Sequence, residues 1–453
     1  MKPLRILTIF LFVLSSPNIL LSKNKNGVSF EKNNDSKNTV VTSESKVFNF
    51  NSSKKNEKAT NVFSITKYDE TIGYGFDYDT SENAAFTATG LNITKSVYFS
   101  TKIPEGNYKV KITLGTNNKN SNITVKAESR RLMVDQYSTK KGKSNILEFN
   151  VNVRNSFIDN SASIKLKDRE KGDLNWDNKL TLEFLGTATI QKIEITPLEK
   201  VTTLFLAGDS TVTDQDVEPW GSWGQMIPQY FNTNIVVTNY ACSGLALSSF
   251  KSSNRLKKIS SQIKAGDYLF IEFGHNDEKI KGPENTAWKS YSDLLVEFIQ
   301  VAKDKGAFPV LVTPTQRRSF NTDGSLNQTH GDFPDAMRAV AKKMNVPLID
   351  VTQKTTSMYE AWGNDASKKA FVHYPANTFP GQAKALEDNT HFNAFGANEI
   401  ALCVIQGIRE LHLPIEKDIL KQTANYDPQH PNYFSNWTLP MSTRFEIAKP
   451  DGN

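Results

Sequence analysis

Near Pro197 the spacing of apolar residues changes its rule, and that change limits the available folds more than any other feature of the chain. Before it, apolar side chains recur at every second position in short runs. "NYKVKITLG" sets Tyr108, Val110, Ile112 and Leu114 on one face, "EFNVNV" does the same with Phe149, Val151 and Val153, and "KLTLEF" with Leu180, Leu182 and Phe184. Period-two alternation punctuated by turn residues predicts an all-β antiparallel sandwich over residues 47–200. After it, continuous apolar runs alternate with helical stripes. The strand candidates are 204–207, 235–239, 268–273, 309–313 and 347–350. Between them, Trp288, Tyr291, Leu294, Leu295, Phe298, Ile299 and Ala302 make a stripe over 288–303. This alternation predicts an α/β fold over 201–420, a doubly wound parallel sheet with helices on both faces. A chain of 453 residues exceeds one ordinary core, so two domains agree with its length. Residues 421–453 are rich in proline and aromatics without periodicity and are expected to wrap over a domain surface as irregular chain.

The N-terminus reads as an export signal over residues 1–22. Lys2 and Arg5 precede an apolar run over 6–14 that is too short to span a bilayer, and small residues follow it. The alternative is an uncleaved anchor. No cysteine follows the run, so lipid attachment there has no acceptor. The expected location is outside the cytoplasm, periplasmic or secreted, with no integral membrane segment in the mature chain. Residues 23–46 are polar and aperiodic, as in a linker. Cys242 and Cys403 are the only cysteines, which excludes a disulfide framework and permits one bridge.

Charge is unevenly placed. Residues 1–200 hold 30 Lys and Arg against 21 Asp and Glu, a net of +9, whereas residues 201–453 hold 24 against 27, a net of −3. A basic half favours polyanions. There is no basic helix or nucleic-acid motif, so an anionic polysaccharide suits this chain better than nucleic acid. A solvated lysine-rich surface explains the surplus equally well. Nothing in the sequence sets an oligomeric state.

In doubly wound sheets, sites form beyond the carboxyl ends of the strands. The first strand there delivers "GDS", with Asp209 and Ser210. The second delivers "NYACSG", ending at Gly244, and the third "GHND", with His275, Asn276 and Asp277. Later, "EDNTHFNAFGANEIA" opens the last helix with Asp388 and His391. A hydroxyl, a glycine, an amide and an Asp-x-x-His pair are what acyl transfer needs. A serine hydroxyl is a weak nucleophile until a base takes its proton. His391 suits the base, and Asp388 suits the group that holds its other ring nitrogen. The backbone N–H groups of Ser210 and Gly244 and the amide of Asn276 are candidates to receive the oxyanion.

"GDS", the glycine of "NYACSG", "GHND" and "DNTH" resemble, in chain order, the four blocks of the SGNH (GDSL-type) hydrolases. "AGDSTVTDQ", "SWGQMIPQYF", "FIEFGHNDEKIKGP" and "DNTHFNAFGA" resemble the rhamnogalacturonan acetylesterase branch, over roughly residues 201–410. The resemblance implies a flavodoxin-like fold. It also implies a serine esterase that removes acetyl groups from pectic polysaccharide, with Ser210 as nucleophile, Gly244 and Asn276 as oxyanion donors, His391 as base and Asp388 as its orienter. No metal or other cofactor is implied. More loosely, residues 47–200 resemble the galactose-binding-like sandwiches that precede such esterases.

Rival readings are explicit in the sequence. His275 is an alternative base, while Asp209 and Asp277 suit loop backbone better than chemistry. Cys242 lies in an exit loop without an adjacent base. "GHND" and "DNTH" offer metal donors but no recurring ligand spacing. The long loop 370–387, with His373, Tyr374, Phe379 and Lys384, suits either a cleft wall or a surface loop packed by its own aromatics. Tyr74, Phe76, Tyr98 and Trp176 suit a sandwich core better than a sugar platform. Acetylxylan or another acyl ester, or a polysaccharide-binding role without turnover, are the functional alternatives.

Overall fold

Strand Lys179–Pro197 organises the first half of the chain. In the computed structural model, which describes residues 44–115 and 120–452, its early residues pair antiparallel with Val97–Lys102 and Ser121–Ala127. Its later residues pair with Gly90–Ile93, Gly106–Leu114 and Lys46–Asn49. One strand therefore serves two sheets. The change of partners falls around Gly186, where φ is +104° and a β-carbon would sit 2.4 Å from the Asn122 carbonyl oxygen. Only glycine tolerates that backbone at that separation. The alternating residues that predicted these strands, from Tyr108 to Phe184, are buried and meet in one core. Phe76 joins that core, Tyr98 is buried, and Tyr74 packs against Phe48. The guanidinium groups of Arg154 and Arg255 both stand over the Trp176 ring, at 4.9 and 5.4 Å from its centre. These aromatics are occupied by packing rather than set out as a platform.

The second half holds a five-stranded parallel sheet. Its strands in chain order are Thr202–Gly208, Ile235–Asn239, Tyr268–Glu272, Phe308–Val312 and Leu348–Ile349. The spatial order is second, first, third, fourth, fifth. The chain winds one way from the first strand and then the other, so a crevice opens where the direction reverses. Alternate residues of each strand face opposite layers. Leu204, Leu206 and Phe270 pack against helices Val351–Trp362 and Ala394–Glu410. Phe205, Leu269 and Ile271 pack against Ser292–Asp304 and Phe333–Met344. The fold is the doubly wound α/β class with an all-β region before it. One detail of the stripe over 288–303 differs. Helix Ser292–Asp304 is preceded by a wide turn, Ala287–Tyr291, with non-helical backbone at Lys289. The kink turns Trp288 out to solvent, where its indole N–H donates to Asp332.

The two halves share a belt of buried charge. Arg130 pairs with Glu218, and Arg131 and Arg154 both reach Asp214 at 3.3 Å. Arg255 returns the pairing by binding Glu170. Part of the basic surplus of the first half is thus turned inward rather than presented to a partner. Truncating one member of such a pair costs about 3–5 kcal/mol, because the other charge is left buried and alone.

Among the described residues the tail beyond 421 has neither helix nor strand, only an isolated bridge from Phe445 to Glu218. It crosses the belt, with the Trp437 N–H on Asp135 and the Pro440 carbonyl on Lys126. Residues 44–452 belong to one compact unit. The expected signal segment and all but the end of the expected linker lie outside the described residues. No helix among the described residues is long and apolar enough to cross a membrane. Cys242 and Cys403 are both buried and unpaired by disulfide.

Candidate active site

The first parallel strand stops at Gly208 and the chain turns over itself at 209–213. Asp209 builds that turn. Its carbonyl accepts the N–H groups of Val212 and Thr213, and its carboxylate accepts the N–H and hydroxyl of Thr211. Asp209 is therefore occupied by loop backbone. The Ser210 carbonyl is pinned by the Ser222 hydroxyl at 2.7 Å and the Gln215 amide at 2.9 Å. With its backbone held on both sides, Ser210 presents its hydroxyl in one direction.

That direction is His391. The distance from Nε2 to the Ser210 Oγ is 2.9 Å, and from Nδ1 to the Asp388 Oδ2 also 2.9 Å. Asp388 Oδ1 accepts the backbone N–H of Thr390 and of His391. Burial alone would raise the Asp388 carboxyl. The His391 imidazole and these backbone bonds outweigh it and hold the group below the ordinary carboxylate range. All three side chains are buried, and the Trp220 ring stands edge-on to His391 at 5.9 Å.

The local structure around Asp388 differs from the expected loop. Asp388 and His391 lie on strand Leu386–Phe392, paired antiparallel with Phe371–Tyr374, and helix Ala394–Glu410 begins only after the Asn393 cap. In a regular strand, residues three apart point to opposite faces. Here Phe371 pairs with Phe392 while His373 pairs with Glu387, so residues 388–391 bulge opposite the single residue Val372. The Asp388 turn fills the bulge and brings both side chains to one side. The first part of the long loop 370–387 is thus a strand. Its Phe379 stacks on Phe445 of the tail at 4.6 Å and also meets Tyr374.

Gly244 and Asn276 lie beyond the second and third strands, which flank the first. Gly244 has φ +77°, in the left-handed region that favours glycine. Asn276 donates its amide to the Leu245 carbonyl at 3.1 Å, and an amide carries a second N–H. The Asp277 carboxylate accepts the Leu247 N–H, which ties the second exit loop to the third. Beneath them Glu272 touches the Thr211 hydroxyl at 2.9 Å and accepts the Trp223 indole N–H. Burial and the charge of Asp209 push Glu272 up to about 8.

The rivals are placed as well. His275 is buried, and neither ring nitrogen has a hydrogen-bond partner among the described residues. Its Nδ1 lies 3.7 Å from Asp209 Oδ2. Burial, then the charges of His330 and Arg317, push its pKa well below the ordinary value and leave the ring neutral. The Cys242 thiol is pushed up to about 12 by burial, which keeps it from the thiolate form. Among the described residues no group of three or more His, Cys, Asp or Glu is arranged to hold a metal. Sequence reasoning missed Trp220 and the tail beside the site. Neither carries a local signal, because both act by long-range contact.

Comparison with known proteins finds relatives of the second half of the chain and of most of its length. The profile of the GDSL-like Lipase/Acylhydrolase family matches residues 206–398. Rhamnogalacturonan acetylesterase RhgT of Bacillus subtilis (strain 168) is 42% identical over 227 residues, 50% of this chain and 97% of the relative. The uncharacterized esterase YxiM of the same organism is 26% identical over 381 residues, 80% of this chain and 90% of the relative. The crystal structure of Bacillus subtilis YxiM superposes with TM-score 0.44 at 23% identity, covering 82% of this chain and 99% of that one. The chain belongs to the GDSL-like lipase/acylhydrolase family. It is a carboxylic ester hydrolase.

Proposed function

We propose that the chain is a serine esterase that releases acetyl groups from pectic polysaccharide of the rhamnogalacturonan type. The observation that carries the mechanism is the continuous hydrogen-bonded line Ser210–His391–Asp388 at the carboxyl edge of the sheet. His391 takes the proton from the Ser210 hydroxyl as the oxygen attacks the acetyl carbon. Asp388, acceptor-only and held charged, keeps the proton on Nδ1 and stabilises the imidazolium. The backbone N–H groups of Ser210 and Gly244 and the Asn276 amide receive the oxyanion. The carbon–oxygen bond to the sugar then breaks, and the sugar oxygen leaves with the proton from His391. Water, deprotonated by His391, attacks the acetyl-serine, and acetate departs as Ser210 regains its proton. The pectic substrate is supported by the similarity to RhgT, whose name states that activity. The division near residue 200 into a galactose-binding-like sandwich and a hydrolase domain belongs to the same reading. So does export, supported by the charged and apolar pattern of residues 2–14.

The test is acetate release from acetylated rhamnogalacturonan, acetylxylan and a small aryl acetate, by the wild type and by Ser210→Ala. Release from the pectic polymer that disappears in the variant is the expected result. Release from xylan alone would keep the mechanism and overturn the substrate.

A further inference from the structure

Residues 449–452 lie across the candidate acyl site. Lys449 Nζ is 3.6 Å from Asp388 Oδ2. Asp451 is seated by its carboxylate on two cations: Lys167 Nζ donates to Oδ2 at 2.9 Å and Arg169 Nη1 to Oδ1 at 3.1 Å. Lys167 is itself aimed by a second bond, to the Ser243 carbonyl at 2.6 Å, one residue before Gly244. Gly452 fills the space beside two of the three groups assigned to the oxyanion, Gly244 and Asn276. A β-carbon on it would lie 2.7 Å from Asn276 Oδ1 and 3.0 Å from Gly244 Cα. Lys279 Nζ holds its carbonyl.

The chemistry of this contact indicates what else fits there. The seated group is a carboxylate. Burial alone would raise it, and Lys167 and Arg169 together hold it below its ordinary value, so it sits there charged. The cation side chains remain 31% and 38% exposed, within reach of a ligand from solvent. A cleft of about 630 Å³ continues from the contact, where Arg169, Arg444 and Lys449 alternate with the carboxylates Asp173, Asp216 and Glu446. Arg444 is already paired with Asp216, which leaves Lys167 and Arg169 as the cations that meet Asp451.

We propose that Lys167 and Arg169 form a subsite for the carboxylate of a uronic acid beside the acyl site, and that Asp451 occupies this subsite when no substrate is bound. The idea rests on the pectic reading and deepens it, since an acidic sugar supplies a carboxylate and a neutral xylan backbone does not. It also gives the β half a direct part in specificity, because both cations come from the segment between its strands. Substrate displaces Asp451, and one carboxylate replaces another on Lys167 and Arg169.

The experiment uses the full chain and follows inhibition of aryl acetate hydrolysis by trigalacturonate, with neutral galactobiose as the control. The expected wild-type result is competitive inhibition by the acidic oligomer only. Arg169→Gln should raise its inhibition constant about tenfold, the scale of one charge-assisted hydrogen bond. Asp451→Asn should lower it at least about threefold, because the internal competitor holds less firmly. An inhibition constant unchanged in both variants, or equal inhibition by galactobiose, would overturn the subsite. Arg169→Gln and Asp451→Asn are also compared on the acetylated polymers. Release from xylan but not from rhamnogalacturonan, with the two opposite shifts intact, would sink the pectic reading and keep the subsite. Release from rhamnogalacturonan with the same KM in all three proteins would do the reverse.

Discussion

Two buried Asp–His pairs flank Ser210, and they differ in what the fold does with them. Asp388 and His391 stand 2.9 Å apart, with the other nitrogen of the ring on the serine hydroxyl. Asp209 and His275 stand 3.7 Å apart, beyond hydrogen-bond distance, and the other oxygen of the Asp209 carboxylate accepts the Thr211 N–H and hydroxyl. Both pairs have the residue types for acid–base work. Only one has a complete line of donors and acceptors ending at a nucleophile. Composition proposes candidates for a base, whereas the direction of hydrogen bonds separates them.

That contrast can be broken at several points. The largest effect is expected from Ser210→Ala or His391→Ala, each costing about 10⁶ in kcat with the fold retained, because the members of such a line act as a unit. The check is turnover beside a thermal melt. Asp388→Asn should cost about 10⁴ in kcat, since an amide no longer holds the imidazole in the working tautomer. The same variant has a second readout. The folded pKa of Asp388 is depressed, so its stabilising contribution is full above its ordinary value of 3.8 and is lost as pH falls below it. Denaturant unfolding of Asp388→Asn should therefore show a shallower loss of stability in acid than the wild type. Asn276→Ala should cost about 10²–10³ in kcat if its amide meets the oxyanion. An unchanged rate would remove it from the site. The smallest effect is expected from His275→Asn, less than about threefold in kcat, because neither of its ring nitrogens bonds Ser210. A loss matching that of His391→Ala would reverse the comparison between the two pairs.

Much of the fold was legible because it is written in period. The second parallel strand occupies the predicted bounds, Ile235–Asn239, since a run buried on both faces leaves little freedom in its ends. The alternating runs at 108–114 and 180–184 face one core because residues two apart in a strand share a face. Legibility failed where a contact is distant in sequence. Trp288 fitted the helical stripe, but the turn at Lys289 exposes it. Arg130 and Glu218 each look like surface charges and are buried against each other. Asp388 and His391 were legible as a pair from their spacing, yet the bulge that lets a strand present both on one side was not.

The sequence by itself determined the class of fold and a short set of side chains able to move an acyl group. Both depend on local period and residue type, which the chain carries without reference to its partners. Only the tertiary structure decided which histidine meets the serine, where the buried arginines go, and that residues 449–452 lie over the site. Those outcomes depend on which segments the hydrophobic layers bring together across hundreds of residues. A distance of 2.9 Å rather than 3.7 Å is set by packing and turn geometry, to which residue type alone is blind.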